Sequence, residues 1–197
     1  MTEEKTFHVG GRAEAEPETT QYETSPFKKG RPPEPLGFEI NLTAEAHDRQ
    51  KKSGTVQVNI PGFSPVKLYC DEQIPVGDDS APPPLAFMCA GIAFCLMTHL
   101  TDIYTARKIK VKSMKLEQRV KFETNLSNMR ELGHTTDGKT LGIETHVLID
   151  SDEPRERIIE LMDEAENACM AHYALRNPIP WESRLVYNGE EVLSRAG

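Results

Sequence analysis

The chain is short of cysteine, tryptophan and positive charge. Its 197 residues hold 4 Cys and 1 Trp, and 31 Asp and Glu outnumber 23 Lys and Arg to give a net charge of −8. That deficit of cations argues against non-specific nucleic-acid binding, which needs clustered Lys and Arg to neutralise phosphates. It equally opposes docking on an anionic membrane. Four cysteines at irregular positions do not make the disulfide framework of a small secreted domain. The sequence has no CxxC pair, no GxSxG and no HExxH. Gly10-Gly11-Arg12 lacks the lysine and the helix context of a phosphate loop. No basic segment followed by an apolar stretch opens the sequence, so no secretory signal is expected. A cytoplasmic location follows as the expectation, with the thiols reduced at rest.

What is present suits one α+β domain, since such domains run to roughly 100–200 residues. Residues 1–35 are poor in core formers and read as an N-terminal arm, partly flexible, in which Phe7, Val9 and Tyr22 could pin short strands. Residues 36–197 form the domain. Strand patterns fall at 38–42, 55–60 and 66–70, separated by the turn sequences Lys51-Lys52-Ser53-Gly54 and Pro61-Gly62-Phe63-Ser64-Pro65. Residues 81–101 carry no charged side chain. That run is long enough for a bilayer, which takes about 20 apolar residues. Three prolines open it, however, and Asp79 and Asp102 flank it without positive bias. The expectation is a helix from about Pro83 to about Tyr104, buried on all faces inside a soluble domain. From 108 to 122 a long strand is expected, with apolar residues at 109 and 111, 114 and 116, 120 and 122, and a bend where the phase changes. The stretch from Asn125 to Lys139 is polar, with a turn at Asp137-Gly138, and a further strand covers 141–149. A second helix opens near Ser151 with one apolar stripe, Ile158, Leu161, Met162, Ala165, Ala168, Cys169, His172 and Leu175. It ends at Asn177-Pro178. A last strand at 185–187 precedes Asn188-Gly189.

Chemistry points to the thiols. Cys95 lies in the first apolar helix and Cys169 on the stripe of the second, so both face a core. A reactive cysteine needs its pKa lowered from about 8.5 by a cation, a helix N-terminus or a donor. Cys95 is roughly 16 Å into its helix, too deep for the dipole to help. Each thiol alone reads as inert filling; two delivered from separate helices to one interior could support redox chemistry. His99 follows Cys95 by four residues and His172 follows Cys169 by three, each on a shared helix face. Two Cys and two His could bind zinc, though not at signature spacing; hydrogen-bonded helix residues are the plainer reading. Cys89 is expected in the core, and Cys70 ends a strand without an evident partner.

Two motifs carry a resemblance. Pro84-Leu85-Ala86-Phe87-Met88-Cys89-Ala90-Gly91-Ile92-Ala93-Phe94-Cys95 is similar to the proline-led helix that ends at the peroxidatic cysteine of the OsmC/Ohr family, osmotically inducible protein C and the organic hydroperoxide resistance proteins. Ala165-Glu166-Asn167-Ala168-Cys169 resembles that family's resolving-cysteine segment. The resemblance covers roughly residues 37–190 and implies antiparallel sheets wrapped around two central helices in an intertwined homodimer. It implies thiol-dependent reduction of organic hydroperoxides, an antioxidant stress response, with Cys95 as nucleophile and Cys169 as resolving partner. A dithiol, lipoyl-linked in some relatives, would then reduce the disulfide, with no metal or organic cofactor. The family's activating arginine would correspond to Arg12, in the short Gly10-Gly11-Arg12 stretch. Two positions depart from the pattern: Leu85 stands where a glutamate is usual, and Met170 where proline often follows the second cysteine. The rival readings are a non-catalytic protein of this fold that binds a small apolar or thiol ligand, and the Cys/His zinc site.

Overall fold

The computed structural model describes residues 9–16, 24–125, 133 and 137–197. The strands expected at Phe7 and Tyr22, and most of the polar stretch after Asn125, lie outside them. The elements in order are β1 (Gly10–Arg12), β2 (Ile40–Ala46), β3 (Lys52–Val58), β4 (Val66–Cys70), α1 (Pro84–Ala106), β5 (Ser113–Thr124), β6 (Gly138–Asp150), α2 (Arg155–Ala168), α3 (Met170–Arg176), β7 (Glu182–Tyr187) and β8 (Glu190–Ala196). The chain divides into two compact units, residues 1–87 and 88–197.

The first unit is built on an antiparallel sheet of order β1-β4-β3-β2. Alternation in β2 is real, but its apolar side chains face outward: Ile40 is 60% and Leu42 51% exposed, while Asn41 between them is buried. After β4 the chain is tied by one carboxylate. Asp71 is fully buried. It accepts the Ser80 hydroxyl at 2.7 Å and the backbone N–H groups of Glu72 (2.8 Å), Ser80 (3.0 Å) and Asp78 (3.2 Å). Burial alone would raise its pKa, but the bonds from Ser80, Glu72 and Asp78 outweigh it and hold the carboxyl at about 2. Gly77 permits this knot, because a Cβ there would overlap the Glu72 carbonyl oxygen.

In the second unit β5 and β6 form a long antiparallel ribbon whose register shifts once, between Lys121 and Phe122. Its core joins Leu96 and Leu100 of α1, Ile109, Leu161 and Ala165 of α2, and Cys169. Met114, Leu116, Val147 and Ile149 pack against that cluster from the ribbon.

The strand expected from 108 begins only at Ser113. Lys108 takes a left-handed φ of 54° and closes α1, which turns Ile109 into the core instead of into a ladder. Helix α1 is not buried on all faces. Ile92, Ala93, Leu96 and Leu100 are buried, whereas Leu85 is 48% and Phe94 67% exposed. Partners within the chain cover one stripe of a 23-residue helix. By length and composition α1 could cross a membrane.

Among the described residues the two helices expected prove to be three. Cys169, at φ −78° and ψ 110°, interrupts the second between α2 and α3. A break leaves helix carbonyls without partners. Arg176 compensates, donating from Nη2 to the Glu166 carbonyl at 2.7 Å and from Nε to the His172 carbonyl at 3.2 Å. The last strand is the first arm of a hairpin, β7–β8, turned by Asn188 and Gly189 at φ 51° and 88°.

The Asp71 knot sets an acid limit. Its folded pKa lies below the ordinary value of about 3.9, so its contribution is complete above about pH 4 and is lost as pH falls through about 2. Thermal melts of Asp71→Asn should fall below wild type at pH 7, with the difference shrinking towards pH 2. An equal difference at both pH values would contradict the assignment.

Candidate thiol redox site

Cys95 is presented by the middle of α1, and Cys169 by the break after α2. Leu96 and Leu100 pack with Leu161 and Ala165 in one core, which holds the two backbones at fixed distance. The sulfurs meet: Cys169 Sγ lies 3.3 Å from Cys95 Sγ, and no disulfide joins them. The pair is asymmetric. Cys169 is fully buried, whereas Cys95 is half-buried and reaches the surface. Burial pushes the Cys169 thiol upward and the neighbouring Cys95 adds to the rise, against the opposing pull of the His172 and Ala171 N–H groups. At neutral pH Cys169 is therefore a thiol.

Behind Cys169 stands His172, buried on α3 with Nδ1 3.3 Å from the Cys169 sulfur. Its Nε2 lies 3.4 Å from Thr145 Oγ1. Thr145 donates its hydroxyl to Gln118 Oε1 at 2.9 Å, and Gln118 Nε2 donates to the Glu144 carbonyl at 3.1 Å. Gln118 and Thr145 face each other across the β5–β6 ladder. Burial lowers the His172 pKa; Glu166 raises it and Arg176 lowers it further. The imidazole is neutral at pH 7. Sequence reasoning singled out His172 by its spacing from Cys169. Gln118 and Thr145 escaped it, because no sequence signal sets the register that brings them together.

The other candidates are placed differently. Cys89 is half-buried, its Sγ 3.9 Å from the Gln118 carbonyl. Cys70 is half-buried at the end of β4, and burial raises its pKa. His99 is half-buried on α1. Among the described residues no group of three or more His, Cys, Asp or Glu side chains gathers to hold a metal, so the four-ligand zinc arrangement is not assembled. Arg12 is exposed on β1, opposite Val66 of β4. It belongs to the first compact unit, and the thiols to the second.

Three helices with antiparallel sheets and a cysteine pair in the helical core define a thiol-bearing α+β protein. The family model of OsmC-like proteins matches residues 77–184, more than half of the chain. The protein belongs to the OsmC-like family. No curated protein sequence matches it. Among solved structures it is similar to an OsmC-like hydroperoxide resistance protein from Jannaschia sp., with 23% identity and a TM-score of 0.50 over 79% of this chain and 95% of that one. An OsmC-like protein from Mycoplasma pneumoniae is 20% identical, with a TM-score of 0.51 over 70% of this chain and 87% of that one. These likenesses establish the fold.

Contact between the sulfurs makes one cross-link easier than any other. Treating the reduced protein with diamide should join Cys95 to Cys169 and leave Cys70 and Cys89 alkylatable, as read by peptide mass mapping. Random pairing, or four free thiols after treatment, would contradict the geometry.

Proposed function

We propose that this protein reduces organic hydroperoxides by a two-cysteine mechanism, with Cys95 as nucleophile and Cys169 as resolving thiol. The observation that carries the reading is the 3.3 Å approach of a half-buried sulfur to a buried one. A peroxide can meet the half-buried Cys95, whereas Cys169 is fully buried and touches it.

In the first step the Cys95 thiolate attacks the terminal peroxide oxygen. The O–O bond breaks, the alkoxide takes a proton and leaves as an alcohol, and Cys95 becomes a sulfenic acid. Cys169 then attacks the oxidised sulfur; the S–O bond breaks, water leaves and a disulfide forms. An external dithiol, of which a lipoyl group is one kind, reduces the disulfide and is itself oxidised. Arg12 is the proposed activating cation for Cys95. Exposed apolar side chains on the cysteine-bearing helix, Met88 at 40% and Phe94 at 67%, favour alkyl and lipid hydroperoxides over hydrogen peroxide. The Jannaschia protein's description as a hydroperoxide resistance protein points the same way.

A homodimer is part of this reading. Ile40 and Leu42, neighbours on one face of β2, are 60% and 51% exposed, and adjoining apolar exposure marks surfaces that partners cover. The proposed setting is the cytoplasm, where dithiol reductants keep the pair reduced.

A second reading has its own support. A cavity of about 260 Å³ in the first unit is lined by Leu42, Ala44, Leu68, Phe87 and Cys70 among others, and Leu85 replaces the usual glutamate. Both suit a non-catalytic protein that binds a small apolar ligand.

Stopped-flow oxidation of the reduced protein by tert-butyl hydroperoxide separates the readings. On the enzyme reading Cys95→Ser abolishes peroxide consumption. Cys169→Ser still consumes one equivalent, then stalls with a sulfenic acid that dimedone traps. Arg12→Ala slows the oxidation of Cys95 at least tenfold, a threshold of the order expected when an activating charge is removed. Thiols that survive a large excess of peroxide would favour the ligand-binding reading.

A further inference from the structure

The hydrogen bonds behind Cys169 have only one consistent direction. It starts at the Glu144 carbonyl, a backbone oxygen that can only accept. The Gln118 amide must therefore present its NH₂ to Glu144 at 3.1 Å and its oxygen elsewhere. That oxygen faces the Thr145 hydroxyl at 2.9 Å, so Thr145 spends its one proton on Gln118. Thr145 Oγ1 is left with lone pairs towards His172 Nε2 at 3.4 Å, and Nε2 must carry the hydrogen. A neutral imidazole has one N–H. Nδ1 is thus the bare nitrogen, and it faces the Cys169 sulfur at 3.3 Å.

We propose that His172 is the catalytic base of the resolving step, taking the Cys169 S–H proton on Nδ1, and that Thr145 and Gln118 are positioning residues that fix its tautomer. The inference rests on the two-cysteine reading and adds to it the means by which a buried thiol becomes a nucleophile.

The step balances. As Nδ1 accepts the proton, the Cys169 sulfur attacks the sulfenic sulfur of Cys95 and the S–S bond forms. The Cys95 S–O bond breaks, and its electron pair leaves with hydroxide. Hydroxide gains a proton from solvent, and the imidazolium later returns one. Burial keeps His172 neutral and ready to accept at pH 7. The charged groups acting on it are Glu166 on α2 and Arg176 on α3, whose influences oppose each other, and the Cys169 thiol faces its Nδ1, with Cys95 as that sulfur's other contact.

Two-phase stopped-flow kinetics with tert-butyl hydroperoxide test the role. The first phase, linear in peroxide, reports sulfenic acid formation; the second, independent of peroxide, reports the disulfide. In His172→Asn the second phase should slow at least tenfold relative to the first, since general bases contribute typically about 10²–10⁴-fold. In wild type the second-phase rate should fall at acid pH with the titration of a group below the ordinary histidine value of about 6.5. His172→Asn should lack that limb. Thr145→Val should shift the limb and slow the second phase, and Thr145→Ser should restore both. Nitrogen-15 NMR of the reduced wild-type protein should find His172 protonated at Nε2 and bare at Nδ1. A second phase unchanged in His172→Asn, or a hydrogen on Nδ1, overturns the role of His172 while leaving the two-cysteine reading intact. No first phase in wild type overturns that reading, and this role with it.

Discussion

The interruption of the second helix at Cys169 is the constraint on which the site depends. An unbroken helix would carry residue 169 onward in a regular spiral, with its N–H and carbonyl committed to the i−4 and i+4 positions. In the extended conformation observed, the residue ends one helix and starts another, and its carbonyl still accepts the Tyr173 N–H at 2.9 Å. The N–H groups of Ala171 and His172 then lie near its sulfur. The cost is a set of α2 carbonyls left without helical donors, and the Arg176 guanidinium satisfies that of Glu166. On the other side Leu161 and Ala165 hold α2 against Leu96 and Leu100 of α1. Interiors are packed as densely as organic crystals, so the separation of the sulfurs is set by side chains on both helices rather than by the cysteines.

Burial sets two otherwise identical groups apart. Removing a thiolate from water is costly, and that cost dominates the rise at Cys169. The opposing N–H groups reduce the rise without cancelling it. Each unit of pKa corresponds to about 1.4 kcal/mol of preference for the thiol, so under the two-cysteine reading Cys169 needs a proton acceptor before it can attack. The same burial lowers the affinity of His172 for protons. One physical cause thus widens the gap between a protonated acid and an unprotonated base held in contact.

Much of this was legible in the residues, and the failures have identifiable causes. An uncharged run of apolar residues marked α1 and placed Cys95 inside it. The three- and four-residue spacing marked α2 and set Cys169 on its inner face. The break itself was invisible, because neither glycine nor proline occupies 168–170 and the residue that stabilises it, Arg176, acts through space. Likewise β5 begins late because Lys108 adopts a left-handed conformation that no local signal demanded. The arm β8 was missed although Asn188-Gly189 is the strongest short hairpin signal; the acidic and polar residues after it hid the strand. Alternation identified β2 correctly, yet it reports only that two faces differ. It does not say that Ile40 and Leu42 remain uncovered by the chain that carries them.

Those uncovered faces bear on the chemistry as well as on association. Helix α1 carries Cys95 on a partly open flank, with Phe94 beside it 67% exposed. Whatever covers that flank removes apolar surface from water at about 25 cal/mol per Å². It also becomes the wall past which a peroxide must move to reach the sulfur. Under the peroxidase reading, selectivity for alkyl over hydrogen peroxide then arises less from the thiols than from the apolar lining that the proposed association would complete. A hydrophilic oxidant gains nothing from such a lining, whereas an alkyl chain gains roughly 0.8 kcal/mol per buried methylene.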